Sequence, residues 1–183
     1  MIKIKNICKF IDELYSHFVS VCPSNKLFSH LRFHYHSRKL KCCNGTFFSC
    51  TGFWIEGAEN VTIGNNVFFN RNVSILALDG VAESEIIISD KCQFGPNVVI
   101  VSADHDFKNI GQIRFTNSVP GKIIIEEDCW IGSNVTITKD VVIGKGSVIG
   151  ANSVVTRKIP PYSIAVGVPA RVIKTRIDNT KTF

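Results

Sequence analysis

From Ile125 to Pro160 the chain reads in sixes: IEEDCW, IGSNVT, ITKDVV, IGKGSV, IGANSV and VTRKIP. Every unit opens on Ile or Val. Position five is small or β-branched at Cys129, Val135, Val141, Ser147 and Ser153, and fails only at Ile159. Position four carries Asn134, Asp140, Gly146 and Asn152, residue types that tolerate a left-handed backbone at a turn. A period of six matches neither the helix repeat nor plain strand alternation. It matches a short strand and a tight corner, repeated, with three sides closing one triangular coil of a parallel β-helix. Coils stack about 4.8 Å apart, which sets Ile125 under Ile143 and Ile131 under Ile149. No single unit can bury its apolar face alone, so the fold class is all-β and the structure is a stack.

The sixes extend upstream as IGNNVF from Ile63 and FNRNVS from Phe69, then dissolve after Ile75 into Asp79-Gly80. They resume as ISDKCQ, FGPNVV and IVSADH, the last ending on His105, and the next clear six begins at Ile125. Residues 106–121 are therefore a loop thrown out from a corner, and loops on a rigid scaffold are where function concentrates. Residues 39–175 form the β-helix domain, with an irregular first coil across Lys39–Gly57, and residues 176–183 form a tail.

Residues 1–38 read as a helical segment. Ile4, Ile7, Ile11, Leu14 and Phe18 recur at helical spacing, Pro23-Ser24-Asn25 interrupts them, and Leu27, Phe28 and Leu31 begin a second, shorter helix. A solenoid needs its open end covered, which makes this segment a cap. A second reading takes Lys3, Lys5 and Lys9 beside the apolar stripe as a peripheral membrane contact. His34 and His36 lack Cys or carboxylate partners nearby and read as surface polar residues, not a metal site.

The 183 residues suit one domain with a short appendage, and a hydrophobic content of 45% suits a packed core. The net charge of +6 is modest and spread out. Seven cysteines without a CxxC pair, and a start (MIKIKNICKF) without a continuous apolar run, point to a reducing cytoplasm. Cys92 and Cys129 fall at position five and read as inward core residues. The sequence holds no Gly-rich phosphate loop, no nucleophile elbow and no basic-aromatic interleaving for nucleic acid.

The ordered set IGNN, GPNVVI, a lone His before a loop, WIGSNVTI, VIGANSVV and GVPARVIK spans roughly residues 53–175. It resembles the hexapeptide-repeat acyltransferases, and within them the sugar O-acetyltransferases that act on bacterial surface polysaccharides. The resemblance implies a left-handed parallel β-helix, a homotrimer with active sites in clefts between subunits, and acetyl-CoA as co-substrate without a metal. A β-helical carbonic anhydrase would need three histidines here, whereas His105 is the last histidine of the chain.

By the same resemblance His105 is the catalytic base, a role suited to an imidazole, which exchanges protons near neutrality. Asp104, Asp106, Glu127 or a backbone carbonyl would orient it. The backbone amides of Gly132 and Ser133 are the oxyanion donors. Trp130, Ser133, Ala151, Thr156, Arg157, Arg171 and Lys174 match positions that line coenzyme A. Asn70 and Asp79 match acceptor-binding positions, with Phe68 where the motif often has Tyr. The expected function is acetyl transfer to a sugar hydroxyl of a lipopolysaccharide, O-antigen or capsule precursor, in the cytoplasm or at the inner face of the membrane. An acetyltransferase for a small free sugar or an antibiotic, and a non-catalytic β-helix scaffold, are the alternatives.

Overall fold

The computed structural model of the chain describes residues 2–108 and 110–176, the first helix through residue 9 by its backbone alone. Two helices, α1 (Ile2–Val21) and α2 (Lys26–Ser37), precede a left-handed parallel β-helix with three sheet faces. The first face stacks Cys42–Cys43, Val61–Ile63, Ile86–Ile88, Ile123–Ile125 and Val141–Ile143. The second stacks Phe47–Ser49, Val67–Phe69, Gln93–Phe94, Trp130–Ile131, Val148–Ile149 and Ser163–Val166, and Arg171–Thr175 closes its end in antiparallel sense. The third stacks Trp54–Glu56, Ser74–Leu76, Val99–Val101, Thr136–Ile137 and Val154–Val155.

The register follows from the sixes. Ile125 pairs with Ile143 and Ile131 with Ile149. The position-four residues Asn134, Asp140, Gly146 and Asn152 all have positive φ, between 57° and 68°. On the edge between the second and third faces, the left-handed asparagines also bond to one another. Asn72 donates to Asn97, Asn97 to Asn134 and Asn134 to Asn152, at 2.9–3.1 Å. Inside, Ile63, Ile88, Ile125 and Ile143 form one fully buried column, and Cys92 and Cys129 stack in another. The Cys129 thiol and burial hold the Cys92 thiol well above the usual cysteine range, so it is a small core residue and not a nucleophile. Each buried Ile contributes about 1.5–3 kcal/mol. The exception at Ile159 has a local cause: it bridges Ile143 in parallel, 16 residues on instead of 18, because the last coil takes a shorter corner. Ile159 itself becomes the inward residue.

The cap differs from its sequence reading. α2 starts at Asn25, whose side chain accepts from the Phe28 N–H, and lies on the first coil, with Phe33 edge-on to Phe47 and His36 edge-on to Phe53. Arg32 is completely buried and donates to the carbonyls of Ser49, Val19, Cys22 and Pro23. Ser29 and Ser24 accept from the Ser49 and Thr51 amides. The α1 stripe Ile11, Leu14 and Phe18, expected at core-facing spacing, is more than half exposed, while Ser16, Val19 and Ser20 face inward. Of Ile4 and Ile7 of that stripe, and of Lys3, Lys5 and Lys9 beside it, only the helical backbone is described, and residues 177–183 of the expected tail lie outside the described residues.

His36 is a second correction. It is buried, not a surface residue, and its Nε2 finds no hydrogen-bond partner. Burial, and then the cations of Lys39 and Arg32, push its pKa down to about 3. Between that value and the ordinary 6.5 the unfolded chain binds the proton and the folded chain does not, so stability falls as pH falls through this window. Lowering pH from 7.5 to 5 is expected to remove about 2 kcal/mol of unfolding free energy through this group. The His36→Phe variant, which suits the aromatic surroundings, should lose most of that acid sensitivity. Urea titrations of both proteins at several pH values check this.

Candidate active site

The loop leaves the prism at the edge between the third and first faces. Ala103–His105 pairs antiparallel with Ser118–Pro120, placing His105 opposite Ser118, so the expected loop is a hairpin with an ordered base. The Asp106 amide donates to the Asn117 carbonyl at 3.0 Å, and the Gly121 amide donates to Ser102 at 2.8 Å where the chain re-enters the coil. The distal part exposes Phe107, Ile113 and Phe115, with the Arg114 guanidinium 5.8 Å from the Phe115 ring centre.

At the base of the hairpin is a hollow of about 520 Å³. His105 lines it with Asp104, Lys108, Thr138, Lys139 and Thr156 among others. The His105 ring is exposed and has no hydrogen-bond partner among the described residues. Lys139 and Asp140, both in the lining of the hollow, form an ion pair at 2.7 Å. Thr138 and Lys139 were absent from the sequence reading, although its own register contains them. Ile137 pairs with Val155, which brings Thr138 beside Thr156, a residue assigned to coenzyme A, in the lining of this hollow.

The other expected residues are distributed by the prism. Thr156 shares the His105 hollow, and Arg157 is exposed on the same edge. Asp79 is on this edge too, but lines a separate hollow of about 430 Å³ with Asp12, Glu13, Lys39 and Trp54. Asn70, Gly132, Ser133 and Ala151 are on the edge between the second and third faces, beside the asparagine ladder. The Asn70 side-chain oxygen is occupied by the Arg71 amide at 2.8 Å. Trp130 projects from the second face, 57% exposed, between Gln93 and Val148. Arg171 and Lys174 are exposed on the antiparallel strand that ends this face. One chain thus brings His105 and Thr156 together, and leaves the Ser133 and Trp130 groups across a corner from them.

Two assignments are narrowed by the hydrogen bonding. The Gly132 amide already donates to the Ile149 carbonyl at 2.8 Å and is not available to an oxyanion, so of the two expected donors only Ser133 stays a candidate. Glu127 does not orient His105 within the chain. It is on the edge between the first and second faces, bonded to Lys91 and Lys145 at 2.9 Å each, and Lys145 and then Lys91 hold its carboxyl down at about 2. Among the described residues no group of three His, Cys, Asp or Glu side chains could hold a metal ion.

Comparison with known proteins returns the same architecture. The family model described as bacterial transferase hexapeptide (six repeats) matches residues 122–157. A galactoside O-acetyltransferase of Escherichia coli (strain K12) is 38% identical over 140 residues, covering 71% of this chain and 64% of the relative. A putative acetyltransferase of Saccharomyces cerevisiae is 36% identical over 146 residues, covering 78% of this chain and 71% of the relative. The solved structure of a galactoside acetyltransferase in complex with coenzyme A superposes with a TM-score of 0.78 at 25% identity, over 95% of this chain and 83% of that one. The chain spans just under two thirds of the length of the E. coli protein.

Proposed function

This chain belongs to the hexapeptide-repeat acetyltransferases, and on that footing we propose that it transfers the acetyl group of acetyl-CoA to a hydroxyl of a sugar. The observation that carries the reading is His105, exposed over a hollow at the root of a hairpin and without a hydrogen-bond partner among the described residues. The acceptor hydroxyl attacks the thioester carbonyl carbon while the free imidazole nitrogen takes its proton. The oxyanion forms against the Ser133 amide. As the tetrahedral intermediate collapses, the C–S bond breaks and the imidazolium returns the proton to the leaving thiolate. Trp130 flanks the pantetheine arm, Ala151 and Thr156 line the cofactor, and Arg157, Arg171 and Lys174 serve its phosphates. Coenzyme A binding separates this reading from a scaffold role.

The placement of these groups supports a homotrimer. His105 and Ser133 are on different edges of one prism, and the third face between them turns Leu76, Val99, Val101, Thr136 and Val154 outward. Packing that face around a threefold axis would set the His105 edge of one copy beside the Ser133 edge of the next. The exposed apolar residues of the hairpin suit the same contact.

For the acceptor, a small sugar is the better-supported choice. The named relatives include a galactoside O-acetyltransferase. The superposition on the galactoside acetyltransferase covers 95% of the chain and therefore most of the helical cap, so the N-terminal segment does not set this chain apart from that group. A lipopolysaccharide, O-antigen or capsule precursor now rests on the α1 helix alone. We place the reaction in the cytoplasm, which supplies acetyl-CoA; no described helix is long and apolar enough to cross a membrane.

His105→Ala should lower kcat by about 10²–10⁴ with unchanged melting temperature and coenzyme A affinity. Ser133→Pro deletes the proposed oxyanion donor without straining the corner, because Pro96 already occupies the equivalent place in the FGPNVV coil. It should cost about 10²–10³ in kcat. Refolding the two inactive variants together should restore part of the activity, since one interface type in a mixed trimer carries both intact groups. No recovery would count against the shared site. In a competition for labelled acetyl-CoA, free galactosides and maltose should be labelled ahead of chloramphenicol and of lipid-linked oligosaccharide precursors.

A further inference from the structure

We propose that the outer surface of the helical cap docks on an anionic lipid membrane. α1 packs with its apolar side outward. Phe10, Ile11, Leu14, Phe18 and Val21 are each 52–60% exposed, whereas Ser16, Val19 and Ser20 are buried against the cap. This ridge is too continuous for scattered surface apolar residues. Beside it, the side of α2 turned away from the prism carries Lys26, His30, His34 and Arg38, one helical turn apart and all exposed. The His30 and His34 rings stack at 5.9 Å, and an Arg38 guanidinium nitrogen is 3.1 Å from His34 Nε2. Between the helices runs a groove lined by Ile11, Tyr15, Leu31, His34 and Arg38, with the Asp12–Lys39 ion pair at its edge. Leu27, 65% exposed, ends the row.

Charge selects the occupant. Of the acids of α1, Glu13 lines the hollow between cap and first coil, and Asp12 borders both that hollow and the groove, where its carboxylate is taken up by Lys39 and Tyr35. The outer surface is left with an apolar ridge flanked by cations. An anionic bilayer offers both complements, a hydrocarbon boundary for Leu14 and Phe18 and headgroup phosphates for Lys26 and Arg38. Face-to-face pairing of two caps would set one cationic row against the other, which opposes a second copy as the occupant.

The test is flotation of the full chain with vesicles of phosphatidylcholine alone or mixed with phosphatidylglycerol. The protein should float with the anionic vesicles, stay behind with the neutral ones, and be released by added salt. Replacing Leu14 and Phe18 by Ser should weaken partitioning at least about tenfold. Replacing Lys26 and Arg38 by Gln should weaken it about thirtyfold. Both pairs are exposed, so melting temperature and coenzyme A binding should hold; if the Leu14/Phe18 pair fails to fold, the Lys26/Arg38 pair decides. Failure to float on anionic vesicles, equal flotation on neutral ones, or unaltered binding by the variants would overturn the proposal. So would a fall in sedimentation coefficient of the Leu14/Phe18 variant without lipid, which would assign the ridge to another copy of the chain. None of these outcomes depends on the acetyltransferase reading.

Discussion

The prism depends on corners that a normal L-residue resists. At Asn72, Asn97, Asn134 and Asn152 the backbone is left-handed, a conformation that costs an ordinary residue about 1–2 kcal/mol. Asparagine tolerates it, and here the strain is further offset because each side chain bonds to the next asparagine along the edge. A fixed corner fixes the length of every side. Fixed sides put Ile and Val inward at position one and hold successive coils in one register. The site inherits this order, because the pairing that stacks Ile137 on Val155 brings Thr138 and Thr156 into one hollow with His105.

What could be read from the sequence follows from that periodicity. Where the sixes are unbroken, the faces, the inward columns and the left-handed corners were all legible. His105 was legible because a regular coil stops on it and resumes only at Ile125. The parts that escaped are those decided by hydrogen bonds between segments distant in sequence. The Gly132 amide looked like a free corner donor, but the ladder to Ile149 uses it. Glu127 looked like a partner for an imidazole, but stacking places it between Lys91 and Lys145. His36 looked like a surface residue because nothing local reveals that Phe53 and Tyr35 enclose it.

The separation of His105 from Ser133 has the same origin. A β-helix is rigid and its edges cannot approach each other, so the proposed base on one edge and the proposed oxyanion donor on another cannot act on one carbonyl within a single chain. Direct transfer needs both within hydrogen-bond reach of the reacting atoms. The proposed trimer would supply that convergence without any movement of the fold, and would also cover a hairpin that carries Phe107, Ile113 and Phe115 in the open.

The helical segment answers the requirement that a solenoid satisfy its open end. The first coil has no neighbour above it, so its backbone polar groups must find partners elsewhere or be orphaned at a cost of about 1–3 kcal/mol each. The cap provides them. Ser29 and Ser24 accept from the Ser49 and Thr51 amides, the Ser20 carbonyl accepts from Gly52, and Arg32 reaches the Ser49 carbonyl from within the cap. Ser29 and Arg32 belong to α2 and Ser24 to the linker, so α2 and the linker carry most of this task, and α1 adds carbonyls such as that of Ser20. With α2 between much of α1 and the first coil, the ridge of Phe10, Ile11, Leu14 and Phe18 stays on the outside, which is the surface that the membrane proposal assigns a partner.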